Sequence, residues 1–223
     1  MMQLYCGPLN LFGAKVEIAA REKALSFEVI RVPFSIASRY EPKHPEVLRI
    51  NPKQQVPVLV DGELEIFDST QIFEYFEHLK PEPPLWPEGP VERARARLLE
   101  LKVDEVFFPN VSALFSQRQP NADHAKIAAA RAAIDSFYDQ MENALIGKTY
   151  LCGPFTYADI GLFVAQFYGA FLGSPIRAKC ERLSEWVRRL AARSSIQKTV
   201  GEMTHFLKEN RIPVPIESGF SNA

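Results

Sequence analysis

The segment 56–67 constrains the fold more than any other part of the chain, because it predicts a tight β-hairpin. Two β-prone runs, 56–60 and 63–67, flank the pair Asp61-Gly62. An Asp-Gly pair between such runs favours a two-residue turn in which both positions have positive φ. The sequence therefore predicts two neighbouring antiparallel strands at this point.

The two runs differ in their hydrophobic pattern. The first run is apolar throughout, which is typical of a strand covered on both faces. In the second run Glu63 and Glu65 alternate with Leu64 and Ile66, which predicts one wet face and one packed face. Leu64 and Ile66 are therefore expected to pack against the rest of the domain.

Pro57 lies near the start of the first run and has no N–H to donate to a strand ladder. One interpretation is a bend at this residue, especially a cis one, that turns the amide and carbonyl of Val56 outward. An extended peptide could then pair with Val56 as an added strand. The alternative is that Pro57 only protects a sheet edge.

The hairpin is followed directly by Asp68 and Ser69, which are both preferred at helix starts. Apolar residues then recur at helical spacing, at Ile72, Phe73, Phe76 and Leu79. A helix start suits a carboxylate, to which the Ser69 hydroxyl could donate, while the Asp68 carboxylate could take an ammonium group. Together they would suit a zwitterionic amino-acid head, and the alternative is a plain N-cap.

In this combination of motifs the chain resembles the cytosolic glutathione transferase (GST) family, in its bacterial type. The motifs are Val56-Pro57, the Asp61-Gly62 hairpin and Asp68-Ser69, in the family's order and spacing. The resemblance extends over essentially the whole chain. It implies the GST fold, with an N-terminal thioredoxin-like α/β domain followed by a C-terminal all-helical domain.

The pattern along the chain predicts two domains and a linker. Residues 1–80 have the element order β-α-β-α-β-β-α, and we expect them to form the thioredoxin-like, glutathione-binding domain. Residues 81–90 contain five prolines, which neither a helix nor a strand accommodates, so this stretch is predicted as a linker. Residues 91–223 are predicted as the all-helical domain that completes the electrophile pocket.

Apolar stripes at helical spacing support the all-helical prediction. They comprise Ile127, Ala130, Ile134, Phe137, Met141 and Leu145, then Leu183, Trp186, Val187 and Leu190, and then Ile196, Val200, Met203 and Leu207. Between them, Thr156 and Asp159 form a capping box with Asp in place of Glu. The helix that they open is apolar nearly all round and is expected at the centre of the second domain.

Composition excludes several classes of function. Lys plus Arg number 26 and Asp plus Glu 27, so no basic face for nucleic acid is expected. The longest apolar stretch, 160–173, falls short of the roughly 20 residues that span a bilayer. Cys6, Cys152 and Cys180 are odd in number and their spacing suits no metal, so free thiols in a reducing, cytoplasmic compartment are expected.

The resemblance implies that the glutathione sulfur is the nucleophile, and its thiolate needs a hydrogen-bond donor. The position that carries Ser or Cys in many relatives falls on Asn10, whose side-chain NH₂ could donate. Asn10 could also simply cap the first helix, and the two roles are compatible. Cys6 is open to a redox role or to ordinary burial at a strand end, and Tyr5 to donation or to packing.

Further site residues rest on the resemblance. Lys43 and Gln55 match positions that contact the glycine end of glutathione. Phe107, Phe108 and Phe115 could line an electrophile pocket between the domains, although helical aromatics could equally be core residues. The resemblance also implies a homodimer.

The leading hypothesis is a detoxifying glutathione transferase that joins the glutathione sulfur to a hydrophobic electrophile. Glutathione is a co-substrate, and neither a cofactor nor a metal is expected. Two alternatives remain open, a binding or assembly module with little turnover and a glutathione-dependent reductase or isomerase.

Overall fold

The structure, a computed structural model, describes residues 1–35, 37–118 and 120–214. It confirms the predicted fold class, a thioredoxin-like α/β part followed by helices. The end of the predicted second domain, from residue 215, lies outside the described residues. Across the described stretches, no helix combines the length and the apolar character needed to cross a bilayer.

The element order begins as predicted and continues with helices. The first part contains β1 (Met2–Cys6), α1 (Leu11–Glu22), β2 (Phe27–Arg31), α2 (Pro45–Ile50), β3 (Val58–Asp61), β4 (Leu64–Phe67) and α3 (Ser69–Leu79). The second part contains α4 (Pro90–Lys102), a π-helical turn (Val103–Phe107), α5 (Phe108–Ala113), a 3-10 turn (Leu114–Arg118), α6 (His124–Ala144), α7 (Tyr157–Phe171), α8 (Glu181–Ala191) and α9 (Ser194–Glu209).

The chain divides into two compact units whose limits differ from the predicted domains. The first unit contains Met1–Pro84 and Ser194–Asn210, and the second contains Leu85–Arg193 and the short described segment after residue 210. Helix α9 therefore belongs to the first unit, although the division predicted at residues 80 and 91 assigned it to the second domain. It packs on α1, where Arg21 donates to the Thr199 hydroxyl at 3.3 Å.

The sheet of the first unit has the strand order β2-β1-β3-β4. Strand β1 is parallel to β2 and antiparallel to β3, and β3 is antiparallel to β4. Alternate residues of β1 face opposite sides. Leu4 packs with α1 and α3 side chains on one side, while Tyr5 packs with Val47 of α2 on the other.

The hairpin turn is shifted by one residue from the prediction. Asp61 pairs with Leu64, so the turn residues are Gly62 and Glu63, and Gly62 alone among them has a positive φ, of 61°. Gly at the first central position is the type II′ pattern, whereas the predicted turn needed positive φ at Asp61 also. Leu64 consequently lies beside the turn and is 41% exposed, not packed as predicted.

The core of the second unit surrounds α7, as the sequence predicts. Asp159 is fully buried, and its Oδ1 accepts from the amide of Leu151 at 3.0 Å and from the indole of Trp186 at 2.9 Å. Its Oδ2 accepts from the amide of Thr156 at 2.9 Å, which completes the capping box. The apolar stripes predicted for α6 and α8 are buried throughout.

Candidate active site

The pairing register of the sheet brings three of the predicted motifs to one end of the first unit. Tyr5 pairs with Val58, and Val58 pairs with Phe67. The residues just before β3, Val56 and Pro57, therefore lie between the loop that follows β1 and the start of α3. Asn10, Val56-Pro57 and Asp68-Ser69 are consequently neighbours at the same sheet end.

The Val56–Pro57 peptide bond is cis, and β3 begins at the next residue. Pro57 is buried and Val56 is half-buried. Within the described stretches, neither the amide nor the carbonyl of Val56 forms a hydrogen bond with another backbone group. Just before it, the carbonyl of Gln55 accepts from the Asn51 side chain at 2.6 Å, which holds this segment to the end of α2.

Asp68 and Ser69 form the start of α3. Asp68 caps the helix, because its Oδ1 accepts from the amides of Thr70 at 3.0 Å and Gln71 at 3.3 Å. Its φ is 78°, a left-handed value that costs a non-glycine residue about 1–3 kcal/mol and is concentrated at functional sites. Ser69 is the first helical residue and only 3% exposed. The N-cap interpretation is thus realised, with Oδ2 of Asp68 left out of the cap.

Lys43 reaches the segment that precedes Val56. Its Nζ lies 3.2 Å from Oε1 of Gln54 and 2.9 Å from Oε1 of Glu41. Gln55, which was predicted together with Lys43 to contact the glycine end of glutathione, is exposed. The structure therefore brings Lys43 to Gln54, the residue before Gln55, and pairs its ammonium with the Glu41 carboxylate.

Asn10 is the N-cap of α1. Its Oδ1 accepts from the amide of Gly13 at 2.5 Å. A Cβ atom at Gly13 would lie 2.6 Å from this oxygen, so glycine permits the close approach. The capping role is therefore present. The amide nitrogen hydrogen-bonds with the Tyr40 phenol, and its second N–H is the part of the Asn10 side chain that remains for a ligand.

Cys6 is 1% exposed at the end of β1. Burial raises the pKa of its thiol to about 12, although the Arg31 guanidinium, 2.9 Å from the sulfur, acts in the opposite direction. A thiol with this pKa is protonated at neutral pH and is a poor nucleophile. The geometry favours ordinary burial over a redox role. Tyr5 is also buried, with its ring 5.2 Å from that of His44.

A charged cluster lies behind Cys6. Glu17, whose side chain is almost completely buried, lies 2.6 Å from the Arg21 guanidinium and 3.0 Å from that of Arg31. Arg31 also contacts Glu202 of α9. Two carboxylates thus face two guanidinium groups, and α9 is tied to the end of β2.

A cavity of about 490 Å³ opens beside this cluster, within the first unit. Its walls come from the loop after β1, the end of β2 and one face of α9. The lining includes Pro8, Arg31, Lys198, Glu202, His205 and Phe206. This cavity was not predicted from the sequence, because α9 was predicted to belong to the all-helical domain. The only sequence signal was a helix with one apolar stripe and a charged opposite face.

The three phenylalanines predicted for the electrophile pocket lie in the second unit, in different environments. Phe107 is 1% exposed, and its ring centroid lies 4.8 Å from that of Phe137, so it is a core residue of this unit. Phe108 is half-buried against Tyr168, and Phe115 is partly exposed. Their predicted role in binding stays a prediction.

The sheet order, the cis-proline before β3 and the capped start of α3 define a thioredoxin-like unit, here joined to an all-helical unit. Family models described as the N-terminal and C-terminal domains of glutathione S-transferase match residues 4–84 and 124–189. These matches cover more than half of the chain. The chain belongs to the glutathione S-transferase family.

Some curated relatives are not named as glutathione S-transferases. A stringent starvation protein A homolog from Histophilus somni is 26% identical over 211 residues, which cover 92% of each chain. A homolog of the same name from Coxiella burnetii (strain RSA 493 / Nine Mile phase I) is 34% identical over 110 residues. That second match covers 48% of this chain and 49% of the relative, so it spans about half of either protein.

Solved structures of transferases superpose on the chain. A glutathione S-transferase from Rhodospirillum rubrum F11 aligns with a TM-score of 0.83 at 25% identity and covers 100% of both chains. A theta class glutathione S-transferase from Xanthomonas axonopodis pv. citri, solved with glutathione bound, aligns with a TM-score of 0.75 at 28% identity. That alignment covers 89% of this chain and 96% of the other.

Proposed function

We propose that the protein is a glutathione transferase that joins the glutathione sulfur to a hydrophobic electrophile. The observation that carries the proposal is the meeting of Val56-Pro57, Ser69 and Asn10 at one end of a single sheet. Each of these features alone has an ordinary structural explanation. Their convergence supplies a peptide-pairing edge, a carboxylate site and an N–H donor within one small region.

Each part of glutathione, from the γ-glutamyl group to the glycine, has a matching group in this region. The γ-glutamyl carboxylate binds Ser69 and the start of α3, and Oδ2 of Asp68 receives the ammonium group. The cysteinyl backbone pairs with Val56, which forms no hydrogen bond with another backbone group among the described residues. The glycine carboxylate lies toward Lys43 and Gln55.

The chemical step is displacement or addition at carbon. A free thiol has a pKa of about 8.5, so at neutral pH most of it carries its proton. A hydrogen bond from the Asn10 NH₂ stabilises the thiolate and lowers this pKa. The thiol proton passes to water, the sulfur lone pair forms the S–C bond, and with a halide substrate the halide leaves with the bonding electrons.

The electrophile binds beside the loop that carries Asn10. The cavity between Pro8, Arg31 and α9 adjoins this loop within the first unit and has the volume of a small-molecule site. Phe206 gives it an apolar wall. This cavity is a second candidate for the electrophile pocket, beside the pocket predicted at Phe107, Phe108 and Phe115.

Binding without turnover is the second candidate function. It is favoured by Asn10, which has neither a hydroxyl nor a thiol and uses its Oδ1 to cap α1. It is also compatible with the two relatives that are named stringent starvation protein A homologs, because their names do not include a transferase activity. A reductase is disfavoured by Cys6, because burial raises its pKa to about 12.

Calorimetry with glutathione, followed by a conjugation assay with an aromatic halide, tests the proposal. Ser69→Ala is expected to weaken glutathione binding by about 1–3 kcal/mol, since a charged carboxylate loses a buried donor. Ser184→Ala, whose hydroxyl donates to the Cys180 carbonyl of its own helix, is the control and should bind normally. Uptake without conjugation would select the binding module, and no uptake at millimolar glutathione would refute both.

We also place the protein in the cytoplasm as a homodimer. All three cysteines are free, as expected in a reducing compartment. Helix α4 exposes Val91, Leu98 and Leu101 along one stripe. Its first half carries exposed Arg95 and the turn after it carries exposed Glu105, so an antiparallel second copy would match both the stripe and the charges.

A further inference from the structure

Tyr40, in the segment between β2 and α2, touches the loop that carries Asn10. Its hydroxyl donates to the carbonyl of Leu9 at 2.7 Å. Its ring covers Gly7 so closely that a Cβ atom at this glycine would lie 2.2 Å from Cε1 of the ring. One side chain from elsewhere in the unit thus contacts the loop at two points.

Asn10 is held from the other side by its own helix. Its Oδ1 accepts from the amide of Gly13, so the oxygen of the side-chain amide is directed to α1. The nitrogen hydrogen-bonds with the Tyr40 phenol through one N–H, and its second N–H is the one left for a ligand. The residue before it, Leu9, is the residue whose carbonyl Tyr40 holds, so any rotation of this peptide would change where the Asn10 side chain points.

Tyr40 is itself fixed by packing. Its ring centroid lies 4.8 Å from that of Phe34, and Phe34 lies 5.7 Å from Phe206 of α9. Burial and the neighbouring Cys6 raise the pKa of Tyr40, while hydrogen bonding with Asn10 acts in the opposite direction. The phenol therefore keeps its proton and remains a donor at neutral pH.

We propose that Tyr40 is a positioning residue, which fixes the loop 7–10 so that the Asn10 NH₂ is aimed at the site of the glutathione sulfur. The effect on the glutathione thiolate rests on the proposed function. The contact between Tyr40 and the loop 7–10 does not. A donor that is already oriented loses less freedom when the thiolate binds, so it stabilises the charge more effectively.

Tyr40→Phe removes the hydroxyl and keeps the ring over Gly7. Tyr75→Phe is the matched control, because it makes the same chemical change in the same unit. The Tyr75 hydroxyl donates to Asp61 at 2.7 Å, at the opposite end of β3 from the site. Gly7→Ala is a second test, since the added methyl group must displace the Tyr40 ring without altering any hydroxyl.

The first readout is the side-chain amide signal of Asn10 in a ¹⁵N-labelled protein, identified by its loss in Asn10→Ser. We expect Tyr40→Phe and Gly7→Ala to shift this signal and to speed its exchange with water, and Tyr75→Phe to leave it in place. An Asn10 signal that is the same in Tyr40→Phe as in the unmodified protein would overturn the inference. This readout needs no ligand and no turnover.

The second readout is the pH titration of thiolate absorbance for bound glutathione. Tyr40→Phe should reduce the thiolate fraction at neutral pH about three- to tenfold, which corresponds to a rise of about 0.5–1 pKa unit. Glutathione affinity and KM should change little, because the Val56 and Ser69 contacts are intact, while kcat should fall. An unchanged titration would overturn the role in catalysis. If the unmodified protein binds no glutathione, the proposed function fails while the Asn10 signal still decides the positioning.

Discussion

The side-chain oxygen of Asn10 accepts the backbone N–H of Gly13 at 2.5 Å, so one half of this amide caps α1. The other half is the donor assigned to the glutathione sulfur. These two roles can be separated by mutation, because serine caps a helix about as well as asparagine does.

Asn10→Ala should lose both roles. We expect a loss of about 0.5–2 kcal/mol in the free energy of unfolding from the missing cap, and a pH–rate profile displaced to higher pH. Asn10→Ser should keep the stability and supply a hydroxyl donor, with a profile at or below the original pH. Stopped-flow kinetics across pH and chemical denaturation measure the two effects. Superimposable pH profiles for Asn10→Ala and the unmodified protein would remove Asn10 from the mechanism.

The buried thiol of Cys6 should make stability depend on pH in the alkaline range. Its pKa is raised to about 12 in the folded protein, against about 8.5 in an unfolded chain. The stabilisation that comes from keeping this thiol protonated is fully present below the pKa of the unfolded chain. It is lost as the pH rises toward the pKa of the folded protein. Between about pH 9 and about pH 11 it should cost up to about 1.4 kcal/mol per pH unit.

Cys6→Ala isolates this contribution. Its difference from the unmodified protein in urea denaturation should shrink as the pH is raised, because the packing cost of the substitution does not titrate. Parallel stability curves for the two proteins would show that the thiol ionises in the folded state as readily as in the unfolded one.

Lys23 should be a main stabilising residue of the first unit. Its side chain is 0% exposed, and Nζ lies 2.6 Å from Oε2 of Glu77 and donates to the carbonyls of Lys80 at 2.8 Å and Pro83 at 2.9 Å. Lys23→Met leaves a buried carboxylate and backbone oxygens without this donor. We expect a loss of about 3–5 kcal/mol in the free energy of unfolding.

Lys53→Met is the control for the lysine substitution, as Lys53 is exposed in the same unit, and it should change stability by at most about 0.5 kcal/mol. Adding Glu77→Gln to Lys23→Met should restore part of the stability, since the buried carboxylate charge is then removed as well. Equal stability of the Lys23 and Lys53 variants would mean that the buried pair contributes nothing.

Leu98→Glu should dissociate the proposed homodimer. The substitution places a charge in the middle of the exposed α4 stripe, and two copies of it would meet across an antiparallel interface. Sedimentation velocity should show the mass of one chain, while Ile146→Glu, a similar change at an exposed position after α6, should retain the dimer. A monomeric unmodified protein, or a dimeric Leu98→Glu, would contradict this interface.

Prediction from sequence succeeded where neighbouring residues decide the outcome. The N-cap of α3 at Asp68 and the capping box of Thr156 and Asp159 formed as predicted, because these bonds join residues two or three positions apart. It failed by one residue at the hairpin. There the choice between a turn at Asp61-Gly62 and one at Gly62-Glu63 depends on how the strands pair, and Leu64 became exposed as a result.

The sequence by itself determined the element order, the proline before β3 and the helix caps, since each follows from local backbone chemistry. The tertiary structure alone decided that α9 packs on α1, that Lys23 lies under the carbonyls after α3, and that the Tyr40 hydroxyl holds the carbonyl before Asn10. These contacts join residues about 30 to nearly 180 positions apart along the chain, and no local pattern specifies which distant partner a side chain will meet once the core has formed.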